Sequence, residues 1–252
     1  MDSSSSPAGP TLTPVPRQSK YWARAEDRQG IVNDMFDRSA RYYDRVSDMM
    51  SFGTGRSYRR AALVRAGLRA GMTVLDVGTG TGLVAREAAA IVGPNLVIGV
   101  DPSFQMMAVG RERTAVRLVR GVGESLPFGD AQFDFITMGY ALRHVSDLNR
   151  LFAEYARVLE PGGRVLILEI TKPRSAFGTA LARGYFGTVV PFLARITTGS
   201  ADASRLMRFY WDTIADCVPP SVIVGALERA GFSAERTVSL GIFSEYAGTR
   251  TR

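Results

Sequence analysis

The chain has 252 residues, 46% of them apolar, which is enough for one or two domains with a sizeable core. Its net charge of +7 is carried almost wholly by arginine, because lysine occurs only at Lys20 and Lys172. Those arginines are scattered singly, the ordinary state of a solvated surface, so no nucleic-acid partner is expected. The single cysteine, Cys217, excludes an intrachain disulfide, and there is no Cys/His cluster to hold a metal.

Residues 1–19 read as a disordered tail, rich in serine and proline, and residues 20–252 as a single domain. No secretory signal is visible, and the longest apolar run, Tyr185 to Leu193, is far short of the ~20 residues of a membrane helix. A cytoplasmic protein without a transmembrane segment is the expectation. Residues 20–70 carry a helical pattern, an N-terminal cap broken at Ser51 to Gly55. From Met72 short apolar runs alternate with helical patterns. Strands are predicted at Thr73 to Val77, Leu96 to Val100, Ala115 to Val119, Phe133 to Met138 and Arg164 to Leu168. Before the last of these, Leu148, Leu151, Phe152, Tyr155, Val158 and Leu159 recur at helical spacing, with Ser146 or Asp147 as cap and Pro161-Gly162-Gly163 as stop. Residues 173–218 interrupt the alternation as an aromatic helical lid. A helix to about Ala230 and two strands, Arg236 to Leu240 and Ile242 to Tyr246, finish the chain. This order predicts an α/β fold with helices on both faces of a mostly parallel, Rossmann-like sheet.

The chemistry is concentrated where the first strand ends. Asp76, Gly78, Gly80, Thr81 and Gly82 belong to a strand, a G-x-G-x-G turn and a helix start. Glycines let the backbone turn tightly and approach a ligand, and a helix start offers free N–H groups. A dinucleotide fingerprint would need glycine where Leu83 stands, and a P-loop would need Gly-Lys-Ser/Thr. Asp101 ends the next strand, where an acid can accept both hydroxyls of a ribose; a helix cap is its plainer role.

These residues resemble class I S-adenosylmethionine-dependent methyltransferases, and further motifs narrow the resemblance. Phe36-Asp37 through Tyr43-Asp44, Ser47 to Gly53, Gly121 to Phe128, Leu142 to Asp147 and Arg157 to Arg164 are similar to the ubiquinone/menaquinone biosynthesis C-methyltransferase family. The resemblance implies a seven-stranded sheet with one antiparallel strand and S-adenosylmethionine as cofactor. It places Thr81 and Asp101 at cofactor contacts, Met106 on the adenine, and Val122 and Gly123 where the family has Asn-Ala. Gly139 stands where the family has serine, so two polar side-chain contacts are replaced. In the lid, Arg208 to Ile214 departs from the family's pattern.

The resemblance also implies a small hydrophobic aromatic acceptor, phenol- or quinol-like, methylated at carbon. An unperturbed phenol has a pKa of about 10, so a base or a cation helps. His144, the only histidine, stands where the family has asparagine and is the candidate base; hydrogen bonding to a neighbouring loop is its plainer role. Arg143 is a candidate to stabilise the phenolate, with an ion pair to Asp147 as the alternative. Tyr43 can touch the acceptor or pack as core. The aromatic lid is either plain helical core or the wall of an apolar tunnel. Peripheral membrane contact and a homodimer are further expectations. An O-methyltransferase of a hydrophobic small molecule, a non-catalytic cofactor-binding relative and a nucleic-acid methylase are the competing readings. The last lacks the Asn/Asp-Pro-Pro-Tyr/Phe motif after Met138.

Overall fold

A computed structural model describes residues 11–15 and 20–251. Strands β1 (Val74–Val77), β2 (Val97–Asp101), β3 (Arg117–Arg120), β4 (Phe133–Gly139), β5 (Leu159–Ile170), β6 (Phe232–Ser239) and β7 (Phe243–Arg250) form one sheet. Their order is β3-β2-β1-β4-β5-β7-β6, and only β7 runs antiparallel to its neighbours. Strand order reverses between β1 and β4, which opens a crevice at the carboxyl ends of the central strands. Every residue of β1 is buried, as a central strand covered on both faces requires. The β3 edge carries Arg117 and Arg120, charges that discourage pairing with another chain.

Helices α1 (Arg28–Met50), α2 (Gly55–Arg65), α3 (Leu83–Val92), α4 (Phe104–Arg113) and α5 (Leu148–Val158) precede the lid, which is built of α6 (Ala176–Gly184), α7 (Val190–Thr198) and α8 (Ala201–Asp216). Helix α9 (Pro220–Arg229) follows. A π-turn at Tyr185–Val189 joins α6 to α7, so the two run on as one helix. The predicted break at Ser51 to Gly55 separates α1 from α2. Asp147 caps α5 by accepting from the Asn149 N–H at 2.9 Å.

Three expectations are revised. Helix α5 ends at Val158, and Pro161-Gly162-Gly163 lies inside β5, where the β4 register shifts between Phe133 and Phe135. The last two strands are longer than predicted, because Leu240 and Gly241 both take positive φ (51° and 74°) and close a tight hairpin. Within the stretch read as a disordered tail, residues 11–15 are docked: the Leu12 N–H donates to Asp147, the Leu12 carbonyl accepts from Leu148, and Pro14 accepts from Val218. Residues 1–10 and 16–19 lie outside the described residues.

Candidate active site

The turn after β1 is shaped by glycine. Gly78 and Gly80 have φ of 68° and 56°, a left-handed backbone that disfavours other residues. A Cβ on Gly78 would stand 2.6 Å from the Ala141 methyl. Gly82, with φ 83°, caps α3 and does not line the cavity. Asp76 sits at the base of the turn. Its carboxylate accepts from Thr79 at 2.7 Å and from Thr137, its cross-strand partner on β4. Burial pushes Asp76 up to about 6, against the pull of those hydrogen bonds.

Asp101 closes the turn from the β2 side. One carboxylate oxygen accepts from the Gly80 N–H and the other from the Ser103 N–H, both at 2.8 Å. The cap of α4 is Ser103, so the plainer role proposed for Asp101 is filled by its neighbour. Burial pushes Asp101 up to about 6, and Asp76 and Asp37 add to the rise. Because the folded pKa is raised, the stabilising contribution is present at low pH and is lost as pH rises through about 6. Ribose hydroxyls donating to the ionised carboxylate offset that loss, so cofactor affinity is expected to rise over the same pH range. Asp101→Asn should weaken S-adenosylhomocysteine binding by about 1.5–3 kcal/mol, tenfold or more, and flatten its pH dependence. Asp76 still titrates in the variant, so calorimetric difference between the two pH curves reports Asp101 alone. Equal affinities would remove the ribose from this position.

Helix α1 straps the cavity shut with residues seven apart, which two helical turns bring to one face. Asp37 accepts from the Ser103 hydroxyl and from the Gln105 N–H at 3.0 Å, an anion at the start of α4. Asp44 accepts from the Thr81 hydroxyl and pairs with Arg86 and Arg113 at 3.2 and 2.8 Å. Thr81, expected at the cofactor, lines the cavity but gives its hydroxyl proton to α1. At the other end of α1 the Arg28 guanidinium holds the carbonyls of Arg143 and Val145 at 2.8 and 2.7 Å. Neither acid was assigned a role from sequence; their shared spacing was the available signal.

One cavity unites the turn with an aromatic chamber. Of the expected cofactor residues, Asp76, Gly78, Gly80, Thr81, Asp101, Met106, Val122, Gly123 and Gly139 all line it. Glycine at 139 and 123 has a packing reason, and nothing in the structure explains Val122. A Cβ at Gly139 would meet the Val84 methyl at 2.5 Å, and one at Gly123 would meet Leu151 at 2.5 Å. Tyr43, Tyr140, His144, Phe186, Tyr210 and Phe243 line the chamber. Tyr140 has φ 61°, a costly backbone for an aromatic residue directly after Gly139. The Tyr43 and Tyr210 hydroxyls are 3.2 Å apart, and burial pushes Tyr43 well above the ordinary phenol range.

His144 lies among Phe36, Phe209 and Tyr210, with ring centroids 5.1, 5.5 and 6.0 Å away. Both ring nitrogens are buried without a partner, so the loop hydrogen bond considered for it is not formed. Burial holds its pKa well below the ordinary value, helped by the charges of Arg143 and Arg28. The imidazole is therefore neutral at physiological pH. Arg143 departs from expectation. It is fully buried, pairs with Glu169, donates to Thr213 at 3.3 Å, and lies 4.6 Å over the face of Tyr210. It does not line the cavity, and Asp147 is not its partner.

The family described as "ubiE/COQ5 methyltransferase family" matches residues 23–249. A ubiquinone/menaquinone biosynthesis C-methyltransferase UbiE of Idiomarina loihiensis is 36% identical over 213 residues, covering 81% of this chain and 84% of that protein. A demethylmenaquinone methyltransferase of Symbiobacterium thermophilum is 33% identical over 239 residues, covering 90% and 95%. Among solved structures, a SAM-dependent methyltransferase of Thermotoga maritima aligns with a TM-score of 0.61 at 21% identity, over 86% of this chain and 98% of that one. At that identity the likeness speaks for the fold.

Proposed function

Because the chain belongs to the ubiE/COQ5 methyltransferase family and is an S-adenosylmethionine-dependent methyltransferase, we propose that it methylates a ring carbon of a quinol-type acceptor bearing an apolar tail. The observation that carries this reading is the single cavity joining the glycine turn and Asp101 to an aromatic chamber with an unpartnered, neutral imidazole. The turn fits the cofactor: its glycines leave no room for side chains, and a carboxylate faces the cavity at the end of β2. When bound, S-adenosylmethionine supplies an electrophilic methyl on a good leaving group.

The chain's own residues then align the acceptor and exclude water. Asp101, Met106 and the backbone around Val122 and Gly123 hold the adenosine end. Tyr43 and Tyr210 form a polar edge in the aromatic chamber, and α1 closes it. His144 accepts the hydrogen bond of the ring hydroxyl. As carbon attack draws electron density from the ring, that hydroxyl becomes strongly acidic and His144 takes its proton. The resulting dienone then regains the aromatic quinol by losing the hydrogen of the methylated carbon while its oxygen is reprotonated from His144. Arg143, held by Glu169, fixes Tyr210 from behind. An assay of phenols, hydroquinones and naphthoquinols with methyl-labelled cofactor tests the reading. Label on a ring carbon supports it, and label on oxygen, or no product with any quinol, overturns it.

The acceptor's tail and the lid suggest a membrane as its source. The helix α6–α7 has two apolar faces. Ala182, Phe186, Val190 and Ala194 face the core, while Phe177, Leu181, Phe192 and Ile196 are 62% to 80% exposed along a stripe of about 30 Å. Lys172, Arg174, Arg183 and Arg195 are exposed on the same helix or just before it, the composition of an interfacial helix on an anionic surface. Leu240, 88% exposed, lines the mouth of the cavity. No helix among the described residues is long and apolar enough to cross a membrane. Vesicles containing about 30% phosphatidylglycerol should sediment the protein, and Phe177→Asp with Phe192→Asp should abolish this without changing cofactor binding. Unchanged sedimentation of the double variant would end the membrane assignment.

A further inference from the structure

Arg59, in the second turn of α2, lines the cavity at only 4% exposure. Its Nε is buried without a partner, and its guanidinium forms no hydrogen bond or ion pair with any described residue. Of the other arginines of α2, Arg56 pairs with Glu87 and Arg65 with Glu245, and Arg60 is exposed to solvent. A guanidinium stays charged at any ordinary pH, and burying it unpaired is strongly unfavourable. Such a group is expected where an anion completes the pair.

The topology indicates which anion. Asp101 ends β2, on one side of β1, and Tyr140 follows β4, on the other. Arg59 lines the cavity together with Tyr140 and is the charge that acts most strongly on the Tyr140 phenol, on the β4 side. The two ends are thus separated by two strand spacings, about 10 Å. A ligand with its ribose at Asp101 that crosses the glycine turn arrives at Arg59 with its far end. In S-adenosylmethionine that end is an amino acid, whose carboxylate is the molecule's one anionic group. A cation would repel the sulfonium itself, so only the carboxylate suits this place.

We propose that Arg59 binds the carboxylate of the amino-acid end of S-adenosylmethionine. The inference rests on the cofactor and is independent of the acceptor's identity. The pairing is bidentate in character, so lysine replaces it only in part. It also makes Arg59 a residue that the free protein tolerates at a cost to stability and the bound protein uses.

Two ligands separate this role from the alternatives. S-adenosylhomocysteine carries the carboxylate; 5′-methylthioadenosine carries the adenosine end without it. By calorimetry, Arg59→Met should weaken the first by about ten- to a hundredfold and leave the second within about twofold. Arg59→Lys should lie between wild type and Arg59→Met. The free Arg59→Met protein should melt no lower than wild type, since a buried unpaired charge is removed. An equal loss for both ligands would overturn the proposal in favour of a role in shaping the cavity. Unchanged S-adenosylhomocysteine affinity with a raised KM for the acceptor would also overturn it, assigning Arg59 to an acceptor anion.

Discussion

Glu169→Ala is expected to destabilise the fold by about 3–5 kcal/mol, because it leaves the Arg143 charge buried without its partner. Both side chains are fully buried, and the same Glu169 oxygen also accepts from the Ile170 N–H at 2.9 Å. Arg143 donates further only to Thr213, and one of its terminal nitrogens already lacks a partner. Nothing nearby can take over the charge. For a chain of this size the melting temperature should fall by roughly 6–20 °C. The sign of the companion experiment is opposite. Arg143→Met combined with Glu169→Leu removes both charges and should recover most of the loss. Calorimetric melting of the three variants decides it: a single variant melting within about 2 °C of wild type would show that water reaches the pair. Activity of the double variant carries separate information. If Arg143 acts by fixing Tyr210, the double variant keeps cofactor affinity and loses kcat.

That ion pair illustrates where sequence reading stops. The β1 turn was legible because its chemistry demands glycine at fixed spacing, and Asp101 because it ends the next strand. For Arg143 the sequence offers phenolate stabilisation or, as the alternative, an ion pair four residues on, a rule that holds on a helix surface. It stands instead in a short 3-10 turn, Leu142–His144, while Asp147 spends its carboxylate capping α5 and holding Leu12. The true partner is 26 residues away on β5, a pairing that only the sheet register creates. Arg59 was hidden for a different reason. Among many scattered arginines nothing local distinguishes the one that is buried and unpaired. The lid combines both readings made of it. Phe186 on α6–α7 and Phe209, Tyr210 and Trp211 on α8 are core, two of them also line the cavity, and the face of α6–α7 opposite Phe186 is exposed. Periodicity finds an apolar face but cannot find two on one helix when each has a different neighbour.

The pH dependence of turnover should change when His144 is replaced. The buried imidazole has its pKa held well below the ordinary histidine value, first by burial and then by Arg143 and Arg28. A depressed folded pKa means that the unfolded chain binds the proton first. The stability contribution is therefore full above about 6.5 and is lost as pH falls below it. The same depression keeps the imidazole able to accept a proton throughout the neutral range. At saturating cofactor and acceptor, wild-type kcat should accordingly be flat from about pH 6.5 to 8.5, with no inflection at the ordinary histidine value. His144→Ala should lower kcat by about a hundredfold at pH 7 if it removes the proton acceptor. His144→Asn, the residue of the resembling family, keeps a hydrogen-bond acceptor but cannot take a proton. In both variants deprotonation falls to solvent, and kcat should climb with pH toward the acceptor's own pKa near 10. Cofactor affinity should stay unchanged, because His144 lies in the aromatic half of the cavity. Superimposable wild-type and His144→Asn profiles would mean that the ring merely packs between Phe36 and Phe209. The proton would then leave through water at the Tyr43–Tyr210 pair, whose hydroxyls lie 3.2 Å apart in the chamber.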